Sequence, residues 1–250
     1  MKKYLLISLI CLVYTQDVRF VDEIFDEVNV TENIIYGNAP DLPFIFITET
    51  NTVDIDLHMD VYQPVGDIIE DRPLIFFLYG GSFIGGTRDS VYMVELCNSY
   101  ASKGYVAVAI DYRLTPNLIF EPTSQKAYEA VIKGIHDLKG AIRYFRMNDE
   151  QSNDFRIDSD RVFVGGVSAG AIASLNSVYI SDESEALSLV SQDYIDSVGG
   201  LEGNSGSPGY SSHAHGIVNF CGAIGDYNLI EEGDVPIVSM HGDQDGTVPY

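Results

Sequence analysis

At 250 residues, 46% of them hydrophobic and 20% charged, the chain is long enough for one α/β domain with a large core and too apolar to be disordered. Its formal net charge of −23 argues against nucleic acid, which selects a basic face, and fits the solvated acidic surface of an exported protein. Three cysteines give no disulfide framework.

The first fifteen residues are expected to be a signal peptide. Lys2 and Lys3 precede an apolar run, Tyr4 to Tyr14, that is too short to span a bilayer comfortably. Cleavage after Thr15 would leave residues 16–250 as one domain, secreted or periplasmic. Cys97, on a helical pattern, and Cys221, in an expected buried strand, then read as two separate core thiols. No other segment is long and apolar enough to cross a membrane.

Residues 16–56 are acidic and weakly patterned, with short extended runs such as Phe44–Thr48, and are expected to form an N-terminal edge or cover. From Leu57 the order becomes regular. Leu57–Tyr62 reads as a strand, and Pro73–Tyr79 as a continuous apolar strand buried on both faces. A glycine-rich loop, Gly80 to Gly86, leads to a helix near Ser90–Ser102 and a buried strand at Tyr105–Ile110. The clearest helix runs from Ser124 to Met147. There Ala127, Val131, Ile135, Leu138, Ile142 and Phe145 form one apolar stripe, which leaves His136 off it. A strand at Val162–Gly165 is followed by a small-residue helix reaching Ile180. Residues 182–215, acidic and then rich in Gly and Ser, read as a mobile surface insertion. Strands return at Gly216–Ala223 and Pro236–Met240. With no internal repeat, this alternation predicts a doubly wound, mostly parallel α/β sheet.

Three motifs carry chemistry. In Tyr79-Gly-Gly-Ser-Phe-Ile-Gly-Gly86, glycines after a buried strand let backbone N–H groups approach developing negative charge; no Gly-Lys-Ser/Thr follows to make it a phosphate loop. In Gly166-Val-Ser168-Ala-Gly170, glycines flank a serine between strand and helix, the context of a nucleophile elbow. The third motif, Val235-Pro-Ile-Val-Ser-Met-His241-Gly-Asp243-Gln-Asp245, ends a buried strand in a loop with two carboxylates. Either could orient a histidine.

In this order and spacing the three motifs resemble the α/β-hydrolase superfamily, in particular secreted or periplasmic carboxylesterases of the hormone-sensitive-lipase and acetyl-esterase type. The resemblance runs from Leu57 to Tyr250 and includes Asp111-Tyr-Arg-Leu-Thr-Pro116 and Ile157-Asp-Ser-Asp-Arg161, both structural in the family. It implies Ser168 as nucleophile, the amides of Gly81, Ser82 and Ala169 as oxyanion hole, and Asp245 as triad acid. Asp243 is the fallback acid, with Asp226 behind it. It implies an acyl-enzyme mechanism on a small-molecule ester, with no metal or organic cofactor.

Two departures stand out. Tyr79 occupies a position where the family usually has His. The family also places its base after the acid and one more helix, so the histidine and the last strand and helix are expected beyond Tyr250. Among the five histidines present, His241 belongs to the acid turn and His58 lies near an early strand. His213 and His215 are the ones whose loop could swing over the site. The alternatives to an esterase are a non-catalytic binding or adhesion protein on the same fold and a serine peptidase.

Overall fold

The computed structural model describes residues 18–41, 52–187 and 189–249, so the expected signal peptide and the run at 44–48 lie outside it. Among the described residues the strands are β1 (Val28–Asp41), β2 (Val53–Pro64), β3 (Arg72–Leu78), β4 (Val106–Ile110), β5 (Ile157–Val167), β6 (Gly216–Phe220) and β7 (Ile237–Met240). They form one sheet in the order β1-β2-β4-β3-β5-β6-β7. β1 and β2 pair antiparallel with their neighbours, and β4, β3, β5, β6 and β7 run parallel. This is the doubly wound, mostly parallel sheet that the alternation predicts.

Every residue of β3 and β4 is buried, as strands covered on both faces must be. The helices are α1 (Val91–Ser102), α2 (Ser124–Gln151), α3 (Ala169–Tyr179), α4 (Glu183–Ala186) and α5 (Gln192–Val198). Neighbouring strand residues point to opposite faces, and the rings of β3 show where the helices lie. Phe77 packs edge-on against Tyr100 of α1 at 5.0 Å, and Phe76 against Phe145 of α2 at 5.5 Å. α1 and α2 therefore cover opposite faces.

β3 leads to β4 on one side of it, while β5 lies on its other side and leads away to β6. The ends of β3 and β5, paired at Leu78 and Gly166, thus flank the point where the chain direction divides. Open α/β sheets bind ligands there.

The structure refines or corrects the sequence reading at several places. The weakly patterned N-terminal stretch forms an edge as expected, but as a 14-residue strand, β1, whose many exposed positions hide the apolar alternation. β5 begins at Ile157, so the expected lead-in is part of the strand. Cys221 is half-buried in the loop after β6 and not in a strand, at φ 50°; Cys97 is buried, and both are free thiols. β7 is the edge of the sheet, with Ile237, Val238 and Met240 exposed.

The largest difference is the insertion at 182–215, which is docked onto α2. Glu202 pairs with Lys139 at 2.8 Å and Arg143 at 3.0 Å. Ser205 is buried and donates to Asp137, which also pairs with Arg113 at 2.8 Å. Asp137 is fully buried, and removing one partner of such a pair costs about 3–5 kcal/mol. His136, off the apolar stripe by spacing, is buried beneath the insertion, with Nε2 2.8 Å from the Gly200 carbonyl.

Burial, reinforced by the Arg113 charge, pushes the His136 pKa down from 6.5 to about 4. Between those values the unfolded chain binds the proton that the folded chain refuses. The contribution is therefore complete above 6.5 and is lost as pH falls toward 4, by about 3 kcal/mol. Urea unfolding between pH 7 and 4.5 should show this slope, and His136→Gln should flatten it. An unchanged slope in the variant would contradict the assignment.

Candidate active site

Ser168 leaves β5 with φ 53° and ψ −117°, a conformation an L-residue holds at a cost of about 1–3 kcal/mol. Three features keep it there. Its N–H donates to the Phe220 carbonyl at 2.8 Å, and its own carbonyl accepts from Ile172 in the first turn of α3. On the flank, Gly170 lets α3 start against the end of β3. A Cβ at Gly170 would lie 2.2 Å from the Leu78 carbonyl oxygen and 2.6 Å from that of Tyr79.

The glycine loop after β3 arrives at the same point. A Cβ on Gly80 would sit 3.2 Å from the Ser168 Cβ, so this backbone abuts the serine directly. Gly81, Ser82 and Phe83 follow with φ of 138°, 55° and 58°. Such a run needs holding, and the loop is held at its middle and its far end. Phe83 is buried, packs edge-on to Tyr112 at 6.0 Å, and accepts a hydrogen bond from the Thr115 N–H. Arg88 pairs with Asp60 and Asp111, while its backbone N–H also donates to Asp111.

Asp111 and Arg113 thus act structurally, as the resemblance implies, Asp111 through this loop and Arg113 through Asp137. Tyr79, in the family's histidine position, stacks on Tyr112 at 4.5 Å, and the Tyr112 hydroxyl donates to the Tyr79 carbonyl at 2.8 Å.

Among the described residues, no acceptor meets the N–H of Gly81, Ser82 or Ala169. Ala169 is the first residue of α3, whose leading N–H groups have no intrahelical partner. The loop that abuts Ser168 at Gly80 and the helix that starts after it thus carry unpaired N–H donors, the kind of group that stabilises an oxyanion.

Asp245 lies past the end of β7, with β6 between it and the serine strand. Its Oδ1 accepts from Thr247 at 2.8 Å and Val248 at 3.0 Å, and those N–H bonds, Val248 first, hold its pKa below the ordinary 3.8. His241 closes the same turn, its Nε2 2.7 Å from the Val248 carbonyl and 3.6 Å from Asp245. Asp243 is exposed beside it, and Asp226 caps a short 3-10 helix by accepting from Asn228.

The other histidines are placed elsewhere. His215 bonds the backbone of Val162 through its N–H and its Nδ1, and His213 stacks on it edge-on at 4.8 Å. Val162 is six residues before Ser168, about 20 Å down the strand. This pair sits toward the opposite end of the sheet from the serine, so the idea that its loop reaches over the site is wrong. His58 is paired in β2, and His136 is buried under the insertion.

Two contributors escaped the sequence reading. Asn219 of β6 is buried between the acid strand and the elbow, donating to Ser239 of β7 and accepting from Gly222. Tyr92 of α1 accepts a hydrogen bond from the Gly80 N–H at 3.0 Å. Neither carries a motif signal, because each acts through a partner distant in sequence or across a loop. Among the described residues no cluster of His, Cys, Asp or Glu is arranged to hold a metal ion.

A family model described as BD-FAE matches residues 59–223, which include both the glycine loop and the elbow. The chain belongs to the BD-FAE family. This agrees with the α/β-hydrolase resemblance and with the solved structures that share the fold. Esterase 2 of the planctomycete Thermogutta terrifontis superposes with a TM-score of 0.58 at 23% identity, over 78% of this chain and 69% of that one. The same esterase phosphorylated by paraoxon gives 0.59 at 22%, over 93% and 76%. Neutral cholesterol ester hydrolase 1 of Mus musculus is 26% identical over 134 residues, 53% of this chain. The chain spans 30% of that relative's length.

The elbow of this BD-FAE chain makes a direct prediction. Gly170→Ala drives a methyl group into backbone that cannot rotate away, and should destabilise the fold by about 3 kcal/mol. Urea unfolding measures it, and a change within about 0.5 kcal/mol, the range of an ordinary surface substitution, would contradict the packing described.

Proposed function

We propose that this chain is the catalytic part of a serine carboxylic-ester hydrolase. The observation that carries the reading is Ser168 on a strained elbow, abutted by a loop whose unpaired N–H groups lie beside it. In the mechanism, Ser168 Oγ attacks the ester carbonyl while the amides of Gly81, Ser82 and Ala169 hold the developing oxyanion. The alcohol leaves, and water then releases the acid from the acyl-enzyme. Asp245, kept ionised by its two N–H donors, orients the imidazole that takes the serine proton and stabilises it once charged.

The imidazole itself is proposed to come from polypeptide following Tyr250, because the described histidines are engaged away from Ser168. The greater length of the relatives supports this. A small-molecule ester is the proposed substrate, in keeping with the esterase and the cholesterol ester hydrolase that the chain is similar to. Export is proposed from the basic start and apolar run at residues 2–14.

The test is hydrolysis of a short-chain chromogenic ester by the protein extended with its natural downstream sequence. Activity that falls by at least about 10³-fold in Ser168→Ala is the expected result. A folded, extended protein with no esterase activity, or one whose activity survives Ser168→Ala, would overturn the proposal.

A further inference from the structure

Loop 80–90 joins β3 to α1, abuts the elbow at Gly80, and carries three successive N–H groups, those of Gly80, Gly81 and Ser82. Two of them have no described acceptor, but the Gly80 N–H is taken by the Tyr92 hydroxyl at 3.0 Å. Tyr92 lies in the first turn of α1, twelve positions along the chain, so its phenol reaches back and closes the base of the loop. Phe83 and Arg88 already hold the middle and the far end. At the base, two hydroxyls hold the Tyr79–Gly80 peptide: that of Tyr112 donates to its carbonyl at 2.8 Å, and that of Tyr92 accepts from its N–H at 3.0 Å. Tyr92 is also 42% exposed, so its burial does little for the core.

We propose that Tyr92 is a positioning residue for the oxyanion hole, a role that rests on the assignment of Ser168 as nucleophile. By accepting from Gly80, the phenol removes the first N–H of the run from competition and, with the Tyr112 hydroxyl on the Tyr79 carbonyl, fixes the Tyr79–Gly80 peptide plane from which the loop turns into Gly81. The next two N–H groups are then presented to the oxyanion without reorganisation during reaction, which is the condition under which such donors accelerate acyl transfer. Tyr92 acts through Gly80 and does not itself touch the reacting atoms.

Tyr92→Phe keeps the ring and deletes the acceptor. In the full-length protein kcat should fall about 5- to 10-fold, the scale of one neutral hydrogen bond, with KM within about twofold. Affinity for an alkylboronic acid, which forms a tetrahedral adduct on the serine, should fall by the same factor. An unchanged kcat per folded molecule would overturn the proposal, whether or not thermal stability drops. A rise in KM alone would overturn it too, since that is the mark of a substrate contact.

A second measurement does not depend on the variant folding. In the unsubstituted protein the Gly80 amide should exchange its hydrogen more slowly than those of Gly81 and Ser82, and equal rates would refute the bond. Ser168→Ala separates the two failures. Retained activity there would sink the nucleophile assignment, whereas lost activity beside an unaffected Tyr92→Phe would sink the role of Tyr92 alone.

Discussion

The site depends on one steric constraint: backbone must meet backbone where α3 begins against the end of β3. At Gly170 there is no space for a methyl group, because the Leu78 and Tyr79 carbonyl oxygens occupy it. At Gly80 the glycine loop lies against the Ser168 Cβ itself. Any side chain at these positions would push the helix, the strand end and the loop apart. The serine would then stand alone on a corner with no donors beside it. The glycines therefore set the distance between Ser168 and the backbone of loop 80–90.

Closeness alone would not hold the strained residues. Ser168, Ser82 and Phe83 all carry positive φ, and each departs from the ordinary preference of an L-residue. The surrounding structure over-determines them through the Phe220 carbonyl, the buried Phe83 ring and the Arg88 ion pairs. The same logic operates on the acid side. Asn219 ties β6 to β7, and His241 ties the far side of the Asp245 turn, so the carboxylate is presented by a closed loop. Strain concentrated beyond the ends of the central strands β3 and β5 is the form preorganisation takes here.

What the sequence made legible follows from how local each cause is. The elbow could be read because its demands fall on Gly166 and Gly170, two residues either side of the serine. β3 could be read because both of its faces are buried, which requires an unbroken apolar run. β1 could not, because much of it faces solvent and Asn, Thr and Glu interrupt its alternation. The docking of residues 182–215 was hidden for another reason. Glu202 meets Lys139 and Arg143 about 60 residues away, and Gly-Ser composition alone suggests a loose loop. Helical spacing likewise placed His136 outside the core, since the spacing reports the face toward the sheet and not the face covered by the insertion. The Tyr92 contact was invisible because it joins the hydroxyl of a half-exposed helix residue to one N–H twelve positions away.

The central claim is that Ser168 is the reactive serine of this fold, and covalent labelling addresses it most directly. The full-length protein would be treated with a fluorophosphonate, digested, and its peptides mapped by mass. A single adduct is expected on the peptide containing Ser168, absent when the protein is unfolded in urea, because reactivity comes from the folded corner and its donors. An adduct on another serine of the folded protein, or none while the fold is intact, would contradict it.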